Sequence, residues 1–197
     1  MNEIFRIAGQ NLKIAGGTLC RLFSGFEAPD NMMDQEPVCS ICATAGSVQF
    51  DIFNLTPSFP VAHTMTSVTD MSAFLMCSEG YTESSLFAPF STEELRMEMV
   101  LTAFYSRLAF LRTVLVHASL VEMPGLGGVM FVGRSGIGKT TQARLWEQFK
   151  GATIINGDKV FLSLNEAGDT VSAHGSPWCG SSPYKLNQST TLKGIIV

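Results

Sequence analysis

The residues best suited to chemistry form one glycine-rich segment in the last third of this 197-residue chain. The segment fits the pattern G-x-x-x-x-G-K-[ST] in full, with Gly133, Arg134, Ser135, Gly136, Ile137, Gly138, Lys139 and Thr140. In this pattern the backbone N–H groups surround phosphate, the lysine reaches the β- and γ-phosphates, and the hydroxyl holds Mg²⁺. The spacing predicts a nucleotide phosphate site with Lys139 as a catalytic residue and Thr140 as a metal ligand. Thr141 is predicted to join the nucleotide contacts.

A glycine-rich turn that arose by chance is the alternative, and the flanking elements argue against it. Residues 129–132 predict a strand that enters the loop, and residues 141–149 predict a helix that leaves it. The start of a helix adds the positive end of its dipole to a phosphate site. Arg134 would add charge, although an exposed, solvated side chain is the default expectation for it.

A candidate metal carboxylate follows the next predicted strand. Residues 152–155 are apolar, and Asn156, Gly157 and Asp158 come directly after them. A strand-end carboxylate near a phosphate loop can hold Mg²⁺ directly or through water, so Asp158 is predicted to be catalytic and to bind the metal. Asn-Gly is also a strong hairpin-turn dipeptide, and a turn in which Asp158 only begins the strand at 159–164 is the alternative.

The order of these motifs resembles the catalytic domain of HPr kinase/phosphorylase and the related ATP-dependent phosphoenolpyruvate carboxykinases. The match is closer to uncharacterised HPr-kinase-like proteins, in which a strand-end Asn-Gly-Asp precedes a Pro-Trp loop. The resemblance covers residues 113–197 and adds two motifs, His117-Ala118-Ser119 and Gly175-Ser176-Pro177-Trp178-Cys179-Gly180. It implies ATP and Mg²⁺ as cofactors and a catalytic His117 beside the transferred phosphoryl group. Taken alone, His117 fits a core or strand-end histidine, and Trp178 fits either a hydrophobic plug or a lid.

One departure from the resembled family affects the expected activity. HPr kinase has two adjacent aspartates after this strand, a base for the substrate serine and a metal-associated residue. Asp158 matches the second, and Gly157 stands at the position of the first. We expect a Mg²⁺-dependent ATP-binding phosphotransferase that transfers the γ-phosphoryl group to an unidentified protein or small-molecule acceptor. The alternative is a catalytically impaired nucleotide-binding regulatory or adaptor protein; the motifs leave ATP or GTP open.

The elements around the motifs predict an α/β (α+β) fold in two domains. A β-rich accessory domain is expected at 1–90, and a P-loop-containing HPr kinase/phosphoenolpyruvate carboxykinase-like core at 91–197. Residues 91–112 predict a helix, because hydroxyl and acidic residues open an apolar helical pattern. The chain ends inside an apolar run, which predicts a second domain truncated at its C-terminus. Short apolar runs in the first 90 residues predict strands at 4–8, 12–15, 38–43, 48–53 and 73–77.

The composition of the chain limits which binding partners and which cellular compartment are expected. A net charge of -4 disfavours a nucleic-acid partner, and no apolar run is long enough to predict a membrane partner. The charged N-terminus lacks a signal-peptide pattern, so a cytoplasmic protein is expected. Five cysteines, an odd number, indicate reduced thiols. The pair Cys39 and Cys42 has metal-site spacing but lies in a predicted strand, and we interpret it as two buried free thiols. A homo-oligomer is implied only by the resemblance.

Overall fold

The computed structural model describes residues 2–44 and 57–197, so the predicted strand at 48–53 lies outside the described residues. The chain forms two compact units. The first comprises Met1–Arg6 and Gln10–Leu111, and the second comprises Ile7–Gly9 and Arg112–Val197. The division falls near residue 111, whereas the sequence pattern placed it at 90. The reason is that the helix at Glu93–Ala109 packs against strands of the first unit.

The described residues of the first unit form a six-stranded sheet. Its strands are β1 (Asn2–Ile7), β2 (Gln10–Ala15), β3 (Cys39–Thr44), β4 (His63–Thr66), β5 (Phe74–Cys77) and β6 (Glu83–Phe87). Their order across the sheet is β1-β2-β3-β6-β5-β4, so β1 and β2 are neighbours. Strand β3 pairs in parallel with β2 and β6, while β5 pairs antiparallel with β4 and β6. The sheet is therefore mixed.

The described residues of this unit form one long helix and four short helical segments. The long helix, α2 (Glu93–Ala109), begins where the sequence predicted, because Thr92 Oγ1 accepts a hydrogen bond from the Leu95 N–H at 3.2 Å. Its apolar face is buried through Met99, Val100, Leu101, Ala103, Phe104 and Leu108. The short segments are the α-helix α1 (Gly17–Cys20) and three 3₁₀ turns at Arg21–Phe23, Asp30–Met32 and Glu79–Tyr81.

The second unit is a small β-barrel with one helix. Its elements are β7 (Thr113–Met123), β8 (Gly127–Val132), α3 (Lys139–Lys150), β9 (Thr153–Asn156), β10 (Lys159–Leu164), β11 (Val171–His174) and β12 (Ser189–Ile196). Hydrogen bonding runs from β10 through β11, β12, β8 and β7, and β7 returns to β10. Every one of these pairings is antiparallel except β12 with β8. The circuit closes five strands and leaves them no free edge.

Strands β9 and β10 lie end to end along one edge of β7. Leu120 of β7 faces Asn156 of β9, and His117 of β7 faces Lys159 of β10. The Ala118 N–H donates to the Asp158 carbonyl at 2.9 Å, which continues the same line of pairing. The chain therefore does not reverse after Asn156, and the hairpin-turn alternative for this segment is wrong.

Alternation along β7 gives the second unit two apolar layers. Ala118 and Leu120 face a cluster with Met130, Ile155, Val160 and Ala173, all buried. Val121 faces the other cluster, which includes Phe131 of β8 and Ala143 of α3. The indole of Trp146 on α3 packs edge-on against Phe131, with ring centroids 5.2 Å apart. Packing on the second cluster fixes α3, and with it the loop that precedes the helix.

The predicted fold class is wrong. The sequence indicated an α/β (α+β) fold with a P-loop-containing HPr kinase/phosphoenolpyruvate carboxykinase-like core, whereas the described chain is mostly β and includes a five-stranded barrel. A strand, loop and helix do occur at residues 127–150, as predicted. They are set in a mainly antiparallel sheet because short connections such as 124–126 return the chain directly to its neighbouring strand.

Candidate functional site

The glycine-rich loop connects β8 to α3. Gly136 and Gly138 have φ angles of 80° and 106°, which place them in the left-handed region that side chains disfavour. Gly138 is the N-cap of α3 and offers no side-chain cap to the first N–H groups of the helix. Those N–H groups are left to bind water or an anion, which is the chemistry expected of a phosphate loop.

Lys139 is the first residue of α3, and its side chain turns back over the loop. The residue is only 8 % exposed. Its Nζ donates to the Gly133 carbonyl at 3.0 Å and to the Arg134 carbonyl at 3.2 Å. Neutral carbonyls compensate a buried ammonium only in part, so an anion in the cavity would compete well for this group.

Thr140 and Ser119 converge on one carbonyl group. The Thr140 hydroxyl donates to the Gly157 carbonyl at 3.3 Å, and the Ser119 hydroxyl donates to the same oxygen at 3.2 Å. The two hydroxyl oxygens are 3.4 Å apart. Ser119 is completely buried on β7. This contact ties the start of α3 to Gly157 and Asp158, the two residues between β9 and β10, which we call the break between these strands.

The Asn156 side chain fixes the backbone at that break, and the sequence analysis did not predict this role. Its side chain is fully buried, and its Oδ1 accepts from the backbone N–H groups of Asp158 and Lys159 at 2.8 and 2.9 Å. Its Nδ2 donates to the Ser176 carbonyl at 2.9 Å. A buried amide that uses both ends in this way fixes the backbone that carries Asp158.

The carboxylate of Asp158 lies between two basic side chains. Its Oδ1 is 2.8 Å from His117 Nε2, and its Oδ2 is 3.2 Å from Lys159 Nζ. The side chain of His117 is about half exposed, while that of Asp158 is mostly buried. Because Asp158 contacts Nε2, the neutral imidazole is expected to carry its proton on Nε2 and to present Nδ1 as the basic nitrogen.

A loop of residues 179–182 packs against this segment with almost no space between them. A methyl group at Gly157 would overlap the hydroxyl of Ser182, and one at Gly180 would lie 2.7 Å from Asp158 Oδ2. Burial raises the pKa of the Cys179 thiol in this loop, so it is protonated at neutral pH. Gly180 and Ser182 also line the site, although neither was predicted as a site residue: Gly180 is the last residue of the Pro-Trp loop motif, and Ser182 belongs to no motif.

These groups enclose a cavity of about 360 Å³ within the second unit. Its lining includes most of the predicted site residues, and the full set is His117, Ser135, Gly136, Gly138, Lys139, Thr140, Thr141, Gly157, Asp158, Cys179, Gly180, Ser181 and Ser182. Gly133, Arg134 and Ile137 were also predicted to bind the nucleotide but do not line this cavity. Ile137 is 67 % exposed and packs toward Gly133.

The oxygen ligands in the cavity fit a magnesium ion bound together with a phosphate. Mg²⁺ is usually held by one or two protein oxygens, with water and substrate phosphate completing its shell. Thr140 and Asp158 both line the cavity and supply a hydroxyl and a carboxylate. Among the described residues there is no group of three or more His, Cys, Asp or Glu side chains able to hold a metal without such help.

Other residues considered from the sequence do not line this cavity. Trp178 is 4 % exposed and packs on Phe161, so it is a plug and not a lid. Cys39 is buried and Cys42 is exposed on opposite faces of β3, so the interpretation as two buried thiols is wrong for Cys42. His174 is buried between two serines on β10 and β12, which the sequence did not indicate.

No protein-family model matches this chain, and no curated protein resembles it significantly. Within the described residues, no helix combines the length and the apolar character needed to cross a membrane.

Proposed function

We propose that this protein is a cytoplasmic, Mg²⁺-dependent, ATP-binding phosphotransferase of the HPr kinase-like type. Its γ-phosphoryl acceptor would be a protein or a small molecule. One observation carries the proposal: a single cavity collects Lys139 and Thr140 of the loop and the paired side chains of His117 and Asp158. Phosphoryl transfer depends mainly on position and charge stabilisation, and these residue types supply both.

Each of these residues has a distinct task in the proposed reaction. Lys139 would exchange its loop carbonyls for the β- and γ-phosphates, where its charge is better matched. Thr140 and Asp158 would hold Mg²⁺, which neutralises charge on the phosphates when bound. His117, oriented through Nε2 by Asp158, would accept the acceptor's proton at Nδ1.

The second candidate is a nucleotide-binding regulatory or adaptor protein with impaired catalysis. The absence of a side chain at Gly157 favours it, because the resembled family has its base at that position. The two candidates share nucleotide binding and differ in turnover.

Calorimetric titration of the full chain with ATP and GTP, with and without Mg²⁺, tests both candidates when it is followed by an assay of γ-phosphate transfer. Mg²⁺-dependent binding with transfer supports the phosphotransferase. Binding without transfer supports the regulatory protein, and absence of binding contradicts both.

The matched variants for this experiment are Lys139→Ala and Lys150→Ala, at the two ends of α3. We expect Lys139→Ala to weaken binding about 10- to 100-fold, because it removes charge-assisted hydrogen bonds to phosphate. Lys150→Ala, whose side chain is exposed, should bind like the parent protein.

A further inference from the structure

The hydroxyl of Ser182 occupies the space into which any side chain at position 157 would project. A methyl group at Gly157 would overlap Ser182 Oγ and lie against its Cβ. Ser182 is held there by its own backbone, since its N–H donates to the Cys179 carbonyl at 3.0 Å. Its Oγ accepts a hydrogen bond from the Tyr184 N–H at 3.3 Å. The hydroxyl oxygen is therefore fixed, and its hydrogen can be donated elsewhere.

Ser182 shares the cavity with every group assigned to phosphate or to proton transfer. It lines the same 360 Å³ space as Lys139, Thr140 and Asp158. The Gly157 residue beneath it accepts the Thr140 hydroxyl through its carbonyl. Gly180 of the same loop lies directly against the Asp158 carboxylate. A nucleotide with its terminal phosphate at Lys139 and Thr140 would thus bring that phosphate toward the wall formed by Ser182.

We propose that Ser182 is an intramolecular phosphoryl acceptor, so that the chain phosphorylates its own 179–182 loop. This inference rests on the proposed function. In the step, Ser182 Oγ forms a bond to the γ-phosphorus of a nucleoside triphosphate, and the bond from that phosphorus to the β–γ bridging oxygen breaks. The nucleoside diphosphate leaves with the electron pair. The serine proton passes to the imidazole of His117, which lines the same cavity.

The modification limits itself. A phosphoserine carries about -1.5 to -2 charges at pH 7 and three acceptor oxygens. On Ser182 it would stand beside Asp158, inside the space that the γ-phosphate of a second nucleotide requires. We therefore expect one phosphate per chain and weaker triphosphate binding afterwards.

The test uses the full chain, treated with phosphatase, repurified and incubated with Mg²⁺ and γ-labelled ATP or GTP. Intact mass and fragment sequencing should give one phosphate, located on Ser182. Ser182→Ala and Lys139→Ala should lose the label, whereas Ser172→Ala, a serine on β11 outside the cavity, should keep it. The labelled fraction should grow at a rate that does not change over a 100-fold range of protein concentration, as a step within one chain requires.

Separate readouts distinguish this inference from the proposed function. Nucleotide binding by Ser182→Ala, measured by calorimetry, shows that a lost label does not reflect a collapsed site. A phosphate on another residue, or a rate proportional to protein concentration, overturns the inference. So does Mg²⁺-dependent binding with γ-phosphate transfer elsewhere and no label on Ser182, which leaves the phosphotransferase intact. Absence of nucleotide binding overturns both.

Discussion

At the residue scale, Asp158 has two tasks that substitution can separate. Asp158→Asn keeps the shape of the side chain and removes its charge, so we expect Mg²⁺-dependent nucleotide affinity to fall about tenfold, through loss of a charge-assisted contact.

His117→Ala should leave that nucleotide affinity unchanged and slow phosphoryl transfer about 10²- to 10⁴-fold, the usual range for a lost general base. Titrations with and without Mg²⁺ and single-turnover transfer rates measure the two effects.

Unchanged Mg²⁺ dependence in Asp158→Asn would assign the carboxylate to its contacts with His117 and Lys159 alone. Parent-level transfer by His117→Ala would remove the imidazole from the mechanism. The control for both variants is Lys150→Ala, because this exposed residue at the end of α3 lies outside the cavity.

The sequence identified the site residues that belong to a local pattern and missed those that arrive by tertiary packing. Lys139 and Thr140 could be predicted because a phosphate loop needs its lysine and hydroxyl at a fixed spacing after its glycines. Asn156 was visible only as half of an Asn-Gly pair. Its importance comes from contacts with Ser176, which lies 20 residues later in the chain. Ser182 could not be predicted from a local pattern, because its role depends on the tertiary contact with Gly157, which has no side chain.

At the element scale, hydrophobic patterns located strands but not their partners. The apolar runs at β8, β10 and β12 were readable, yet nothing in them predicts that β12 lies parallel to β8 or that β10 returns to β7. The Asn-Gly-Asp segment shows the same limit. Its composition is typical of a hairpin, but β9 and β10 both pair with β7 and the chain continues forward. Pairing with a third strand decided the conformation there.

The packing of the 179–182 loop on the break after β9 makes a prediction about stability. Gly157→Ala should destabilise the protein by about 1–3 kcal/mol, because the added methyl overlaps Ser182. In the background Ser182→Gly the overlapping atoms are absent, so most of that cost should disappear. Urea unfolding of the parent, both single variants and the double variant measures this coupling.

If Gly157→Ala lowered the free energy of unfolding equally in the parent and in Ser182→Gly, the result would contradict this packing. The matched control is Gly194→Ala on β12, where a methyl group would meet no other atom within 4 Å. We expect that substitution to change the free energy of unfolding far less than Gly157→Ala.

At the scale of the whole molecule, the two units differ in the probes they offer. Both tryptophans, Trp146 and Trp178, belong to the second unit, and both pack on its aromatic side chains. Tryptophan fluorescence therefore follows the unit that contains the candidate site. Of the five cysteines, Cys179 alone lies in that unit, and the others lie in the first. Thiol reactivity and fluorescence thus report on different parts of the chain.

The buried His174 makes the stability of the second unit depend on pH. Its ring nitrogens each lie 2.7 Å from a serine hydroxyl, Ser163 and Ser189, an arrangement that satisfies a neutral imidazole. Burial lowers the pKa of His174 from 6.5 to about 4. Between these values the unfolded chain binds the proton and the folded one does not, so stability is full above pH 6.5 and falls as the pH drops toward 4. The shift corresponds to a loss of about 3 kcal/mol.

Urea unfolding followed by tryptophan fluorescence from pH 7 to pH 4 measures this loss. His174→Asn should be less stable than the parent at pH 7, because it leaves serine hydroxyls unpaired, yet its stability should fall less steeply below pH 6.5. His63→Gln, which alters a histidine of the first unit, should keep the parent's slope. If the parent and His174→Asn lost stability in parallel, the titrating group would be a carboxylate elsewhere. The two serines would then be holding His174 in a setting that tolerates its charge.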